Sequence, residues 1–165
     1  MDINLSDIIN NDGSEKSFCV KIELEPVKYM GLELVFKDGA EVKGTVKNIG
    51  GVIKLTADVS GTLGTRCARC LKQIDKEFCT GIDETLVRED TAFDENDDVI
   101  IFSGQSVPID EIALNSILVG IETRYLCSED CKGLCPKCGK NLNEGECDCH
   151  NSAVDPRLEV LSKLL

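Results

Sequence analysis

Eight of the ten cysteines fall in two short stretches, 67–70 and 127–149, and this clustering constrains the fold more than any other feature of the chain. Across 127–149 the composition turns to Cys, Gly, Lys, Asn and Asp, with few apolar residues beyond Leu134 and Leu142. Such a segment cannot build an apolar core and needs a metal ion or a neighbouring surface to hold it. The chain as a whole is different: 165 residues with 42% hydrophobic content suffice for one core of ordinary size without staples. At about 6% of residues the cysteines also fall short of the density that marks a small disulfide scaffold. They therefore need a local explanation.

The opening residues carry Asp2 and Asp7, no base before Lys16, and no apolar run of the kind that forms a secretory signal. The most apolar window, 109–121, is interrupted by Asp110, Glu111, Asn115 and Ser116, so it is no membrane span. The expected compartment is the cytoplasm, where CxxC clusters are read as metal-binding or redox-active before they are read as disulfides. Cys135-Pro136-Lys137-Cys138-Gly139 has the form of a zinc knuckle, and Cys147-Asp148-Cys149 follows after a Gly- and Asn-rich stretch suited to a return turn. One zinc held by Cys135, Cys138, Cys147 and Cys149 is the first expectation. A second, held by Cys67, Cys70, Cys127 and Cys131, follows if the CxxC turn lies beside the end of the following helix; iron is the alternative occupant of a sulfur tetrahedron.

Period-two alternation predicts strands at 18–24, 42–46 and 53–59, with Asn48-Ile49-Gly50-Gly51 as a hairpin turn between the last two, and further strands at 77–87 and 99–102. Ile109, Ile112, Ala113, Ile117, Leu118 and Ile121 share one face of a helix near 110–122, and Asp155-Pro156-Arg157 opens a short helix at 156–164. The fold class is α+β: a strand-rich antiparallel body over 1–105, a helical segment packed on it over 106–126, and a cysteine-rich zinc-binding segment with terminal helix over 127–165. The sheet could curl into a barrel, although alternation does not fix closure.

Thirty acids against eighteen bases give a net charge of −12, which disfavours general nucleic-acid binding and favours basic partners. Eight of those acids lie in 83–98 against Arg88 alone, a run that reads as a solvated loop or linker. Cys19 and Cys79, each isolated in a strand pattern, are expected to be buried small hydrophobes. A thioredoxin-type CxxC would stand between a strand and a helix, whereas turn and strand follow Cys70. His150 reads as a surface residue, and neither a phosphate-binding loop nor a nucleophile elbow occurs. The chain is expected not to be an enzyme.

Cys67-Ala68-Arg69-Cys70-Leu71, the run Gly133-Leu134-Cys135-Pro136-Lys137-Cys138-Gly139-Lys140-Asn141-Leu142-Asn143, Cys147-Asp148-Cys149 and Asp155-Pro156-Arg157 together resemble the YceD family, whose members carry the name large ribosomal RNA subunit accumulation protein. The resemblance implies a bacterial or organellar, non-enzymatic factor needed for normal levels of large-subunit ribosomal RNA. Relatives often carry a proline after the helix, where this chain has Ile121-Glu122-Thr123-Arg124, so the helix is expected to run on toward Cys127. The partner expected is a ribosome-assembly component, a basic ribosomal protein ahead of naked rRNA, with no small-molecule substrate and no membrane. Arg66, Arg69, Lys132, Lys137 and Lys140 are the candidate contacts. A thiol-based redox switch that ejects zinc on oxidation is the competing class.

Overall fold

The computed structural model describes residues 1–91 and 98–149. A short strand β1 (Asp2–Asn4) and one-turn helix α1 (Ser6–Ile9) precede β2 (Glu15–Ile22), β3 (Val27–Tyr29), and three long strands, β4 (Leu32–Ile49), β5 (Val52–Arg66) and β6 (Gln73–Arg88). Then come β7 (Ile100–Phe102), β8 (Ser106–Pro108) and the helix α2 (Ile109–Gly120). The main sheet runs β2-β4-β5-β6-β7, with β3 added to the start of β4, and β1 pairs separately with β8. All pairings are antiparallel except β6–β7, which is parallel. The architecture is thus α+β and strand-rich. The sheet does not close, because its edge strands β2 and β7 do not pair, and β7 offers only three residues for pairing.

Alternation along the long strands explains the layering. Val42, Val46, Leu55, Val59, Leu63, Ile82 and Leu86 point to one face and are buried. That face is covered by the β1–β8 pair, α1 and α2, whose Ile109, Ile112, Ala113 and Ile117 join the same core. The opposite face is polar and exposed, with Lys43, Lys47, Thr56 and Asp58 along it. Cys19 pairs with Lys43 and Cys79 with Ser60 on this polar face, so both thiols are exposed and not buried as expected. The core-facing neighbours in those strands are Val20 and Phe78, which pack against the core.

The predicted β4–β5 hairpin forms, with Gly50 and Gly51 at φ +63° and +91° in its turn. Asn48 does more than turn the chain. Its buried amide donates to the carbonyls of Ile8 and Ile9 at 2.8 and 3.0 Å and accepts from Gly51 N at 2.9 Å, fastening α1 to the hairpin. The acidic run begins inside the sheet, since Asp83 and Glu84 belong to β6. The helix α2 stops at Gly120 and does not continue toward Cys127. Ile121 turns extended (φ −75°, ψ 150°), and a Cβ on Gly120 would come within 2.4 Å of Thr80 Oγ1, so the helix end is seated against β6. From there the buried Tyr125 leads the chain to the β5–β6 connection, where its carbonyl accepts from Ala68 N at 2.9 Å. His150 and the expected 156–164 helix lie outside the described residues.

Candidate metal centre

Two tetrads of cysteine assemble beyond the end of the β5–β6 hairpin: Cys67, Cys70, Cys127 and Cys131, and Cys135, Cys138, Cys147 and Cys149, each with its four Sγ atoms within 4.8 Å of one another. These are the two groupings that the spacing predicted. Cys67 and Cys70 stand in the turn between β5 and β6, while Cys127 and Cys131 arrive from the segment after α2. Cys67, Cys70 and Cys131 are buried, with Leu126, Leu134 and Ile74 packed around them.

Cys67 Sγ lies 3.7 Å from Cys131 Sγ, and Cys70 Sγ 3.6 Å from Cys127 Sγ. Four sulfurs around one ion at about 2.3 Å would lie about 3.8 Å apart, whereas a disulfide needs about 2.05 Å. The donor set and spacing therefore fit a tetrahedral thiolate metal site. Sulfur-only tetrahedra suit zinc or iron.

The thiols titrate against one another. Burial pushes the Cys67 thiol up, but the N–H groups of Cys70, Arg69 and Cys127, with the Cys70 thiol, outweigh it and hold Cys67 at about 6. At Cys70 the Lys72 N–H pulls down, yet burial and hydrogen bonding among Cys67, Cys127 and Cys131 push it to about 12. In the second tetrad the N–H groups of Cys138 and Lys137 hold Cys135 at about 6, while hydrogen bonding with Cys138 and burial push Cys149 up to about 12. Burial raises Cys131 as well, but the Asn143 side chain and the Gly133 N–H outweigh it and hold that thiol down, so in each tetrad some thiols are lowered and others raised; packed thiolates repel, and a divalent cation relieves that repulsion.

The two knuckles share one backbone plan. Cys67 N donates to Lys72 O at 2.8 Å and Leu71 N to Cys67 O at 2.9 Å; Cys135 N donates to Lys140 O and Gly139 N to Cys135 O, both at 2.9 Å. The residue after the second cysteine takes positive φ in each, +61° at Leu71 and +74° at Gly139. For a leucine this conformation costs about 1–2 kcal/mol.

The centres are also joined. Leu134 bridges Asn141, Leu142 N donates to Gly133 O at 2.9 Å, and the resulting hairpin carries the second knuckle at its tip. Asn143, at its end, donates from Nδ2 to Cys131 Sγ (3.4 Å) and accepts from Lys132 N at 2.8 Å. Gly133 has φ +77°, and a Cβ there would stand 3.2 Å from Arg69 O, which accounts for glycine at the crossing. The spacing of cysteines gave no hint of Asn143; its place in the Asn141-Leu142-Asn143 run was the only available signal.

The five candidate basic contacts are all exposed. Arg66 ends β5 at the first knuckle. Arg69 is engaged internally, its guanidinium donating to Cys131 O at 2.9 Å and Glu129 O at 3.4 Å, and Lys140 Nζ donates to Glu146 O at 2.6 Å. Lys132 and Lys137 stand on the tail segment between and within the knuckles.

Fold and site together define an α+β sheet protein whose β5–β6 turn and C-terminal segment meet in two tetrathiol clusters able to hold a metal ion. A model of the family described as "Large ribosomal RNA subunit accumulation protein YceD" matches residues 55–165, a span that includes both clusters. The chain belongs to the YceD family. It is 28% identical over 145 residues to the uncharacterized protein YlbN of Bacillus subtilis, covering 87% of this chain and 84% of that one. An uncharacterized protein of Mycobacterium tuberculosis, Rv2926c, is 27% identical over 142 residues, 82% of this chain and 68% of the relative. No solved structure matches. Among the described residues no helix is long and apolar enough to cross a membrane.

Proposed function

We propose that this protein is a bacterial, cytoplasmic, non-enzymatic factor that supports accumulation of large-subunit ribosomal RNA by binding a ribosome-assembly component, with zinc in both tetrads fixing the binding surface. The observation that carries this reading is the family match, which spans the two clusters and the strands that present them. The role of the metal is structural: all four ligands of each site come from the chain, leaving no open position of the kind catalytic zinc keeps. A net charge of −12 favours approach by a basic protein over naked rRNA. The surface proposed joins the first knuckle to the tail, with Arg66, Lys132 and Lys137 as outward contacts and Arg69 and Lys140 holding the segment in shape.

Depletion of the protein from its own cells, followed by quantification of large- and small-subunit ribosomal RNA, tests the proposal. A selective fall in large-subunit RNA, restored by the parent protein but not by one lacking Cys67 and Cys70, is expected. Unchanged RNA ratios on depletion would refute it.

A further inference from the structure

We propose that Leu71 is the apolar anchor of a docking groove beside the first tetrad, occupied by a protein segment that carries an apolar side chain next to acidic ones. The inference rests on the reading of the protein as a binding factor and adds a groove to its knuckle–tail surface; a partner of net positive charge meets that groove through a local acidic segment.

The argument for Leu71 comes from the chain's own second knuckle. Both knuckles close through equivalent backbone hydrogen bonds and place the residue after the second cysteine at positive φ. The second meets this demand with Gly139, whereas the first holds a leucine there, 56% exposed and in neither packed cluster. With more than half of its surface left to solvent, the side chain gains little packing within the described fold to offset the strain, and a use outside the fold accounts for it. Met30 repeats the pattern in the β3–β4 turn, with φ +50° and 70% exposure, and precedes Gly31 of the cavity wall without itself lining the cavity.

Between these turns lies a cavity of about 450 Å³, walled by Lys28 and Gly31 on one side and by Ala68 and Leu71 on the other. It opens because β4 and β5 stop pairing at Val35–Gly64, after which β4 continues with β3 alone and β5 with β6 alone. Thr65, at the fork, has a buried hydroxyl without a hydrogen-bond partner.

Charge selects the occupant. Lys28 and Arg66 line the cavity and Lys72 follows Leu71; none of the three makes an ion pair among the described residues. Glu33 is the one acid in the lining. Glu33 stands opposite Lys28 in the β3–β4 register, so Arg66 and Lys72 leave a local excess of positive charge beside the cleft, which complements carboxylates beside an apolar side chain. No aromatic residue lines the cavity to offer a face on which a base could stack, which favours a protein segment over RNA.

The test places a photocrosslinking amino acid at Ala68, an exposed residue of the cavity wall, in the full chain in growing cells. Cross-linked material is digested and sequenced, in otherwise parental protein and in Leu71→Gly and Leu71→Asn, both of which tolerate positive φ. The expected result is cross-linking to protein segments in which an apolar residue adjoins Asp or Glu, with yield falling at least tenfold in both variants. The purified variants should retain parental metal content and melt no lower than the parent. Unchanged yield, cross-links chiefly to RNA or basic segments, no cross-link at all, or variants melting several degrees lower would each overturn the proposal. Ribosomal RNA levels on depletion are scored separately: a cross-link that behaves as expected with unaltered RNA keeps the groove and removes the functional reading.

Discussion

Removing metal from the first tetrad should destabilise the whole sheet, and the structure sets the size of the effect. Cys70 and Cys127 are 57 residues apart and come from the β5–β6 turn and the segment after α2, so an ion held there closes a long loop. By the loop-closure relation a cross-link over that length restricts the unfolded chain by about 4 kcal/mol. In a chain of this size each kcal/mol moves the thermal midpoint by about 2–4 °C, which gives a fall of about 8–16 °C. The assay is thermal unfolding under reducing conditions, followed by far-ultraviolet circular dichroism in the β-sheet band. Parent protein with saturating zinc is compared with parent plus chelator and with Cys67→Ala. The chelator sample separates loss of the ion from loss of one buried sulfur. Cys138→Ser, at saturating zinc, opens only the nine-residue loop to Cys147, within the tail, and should leave the sheet transition within about 2 °C of the parent. A sheet that melts at the same temperature with and without chelator would refute the claim that the first site staples the body.

Asn143→Asp keeps the acceptor for Lys132 N but replaces the donor facing Cys131 with a carboxylate oxygen, so first-site metal affinity should fall about 10-fold or more, read by chelator competition. Arg66→Ser combined with Lys132→Ser should alter stability by about 0.5 kcal/mol or less per site, since both side chains are exposed, yet lower large-subunit RNA accumulation in complementation. Normal accumulation with that double variant would remove these two residues from the functional surface.

The cluster pairing was legible because ligands must converge: two CxxC motifs and two further cysteine pairs, spaced for turns, leave few ways to build four-sulfur sites. The β4–β5 turn was legible from Gly50 and Gly51, whose positive φ a hairpin demands. The length of β4 was not. Alternation marks only 42–46, whereas β4 begins at Leu32 and absorbs Asp38 and Gly39 as a bulge between Lys37 and Ala40, with Gly39 so close to Ile22 O that a Cβ would stand 2.1 Å away. The parallel pairing of β7 with β6 is a long-range choice with no local signature. Cys19 was misassigned by residue type; alternation with Val20 on the core face already placed it outward. Leu71 was recoverable in principle by laying 67–72 over 135–140, where a leucine stands opposite Gly139.

The central claim, that eight cysteines form two metal-holding tetrads while two remain free on the open sheet face, is tested most directly by joint metal analysis and thiol alkylation. Protein purified under reducing, chelator-free conditions is analysed for metal, alkylated in its native state, and mapped by peptide mass spectrometry before and after chelation. The prediction is two zinc ions per chain, rapid modification of Cys19 and Cys79, and protection of the other eight cysteines until the metal is stripped. Native protein that contains no metal, with the eight cysteines modified as fast as Cys19 and Cys79, would contradict it.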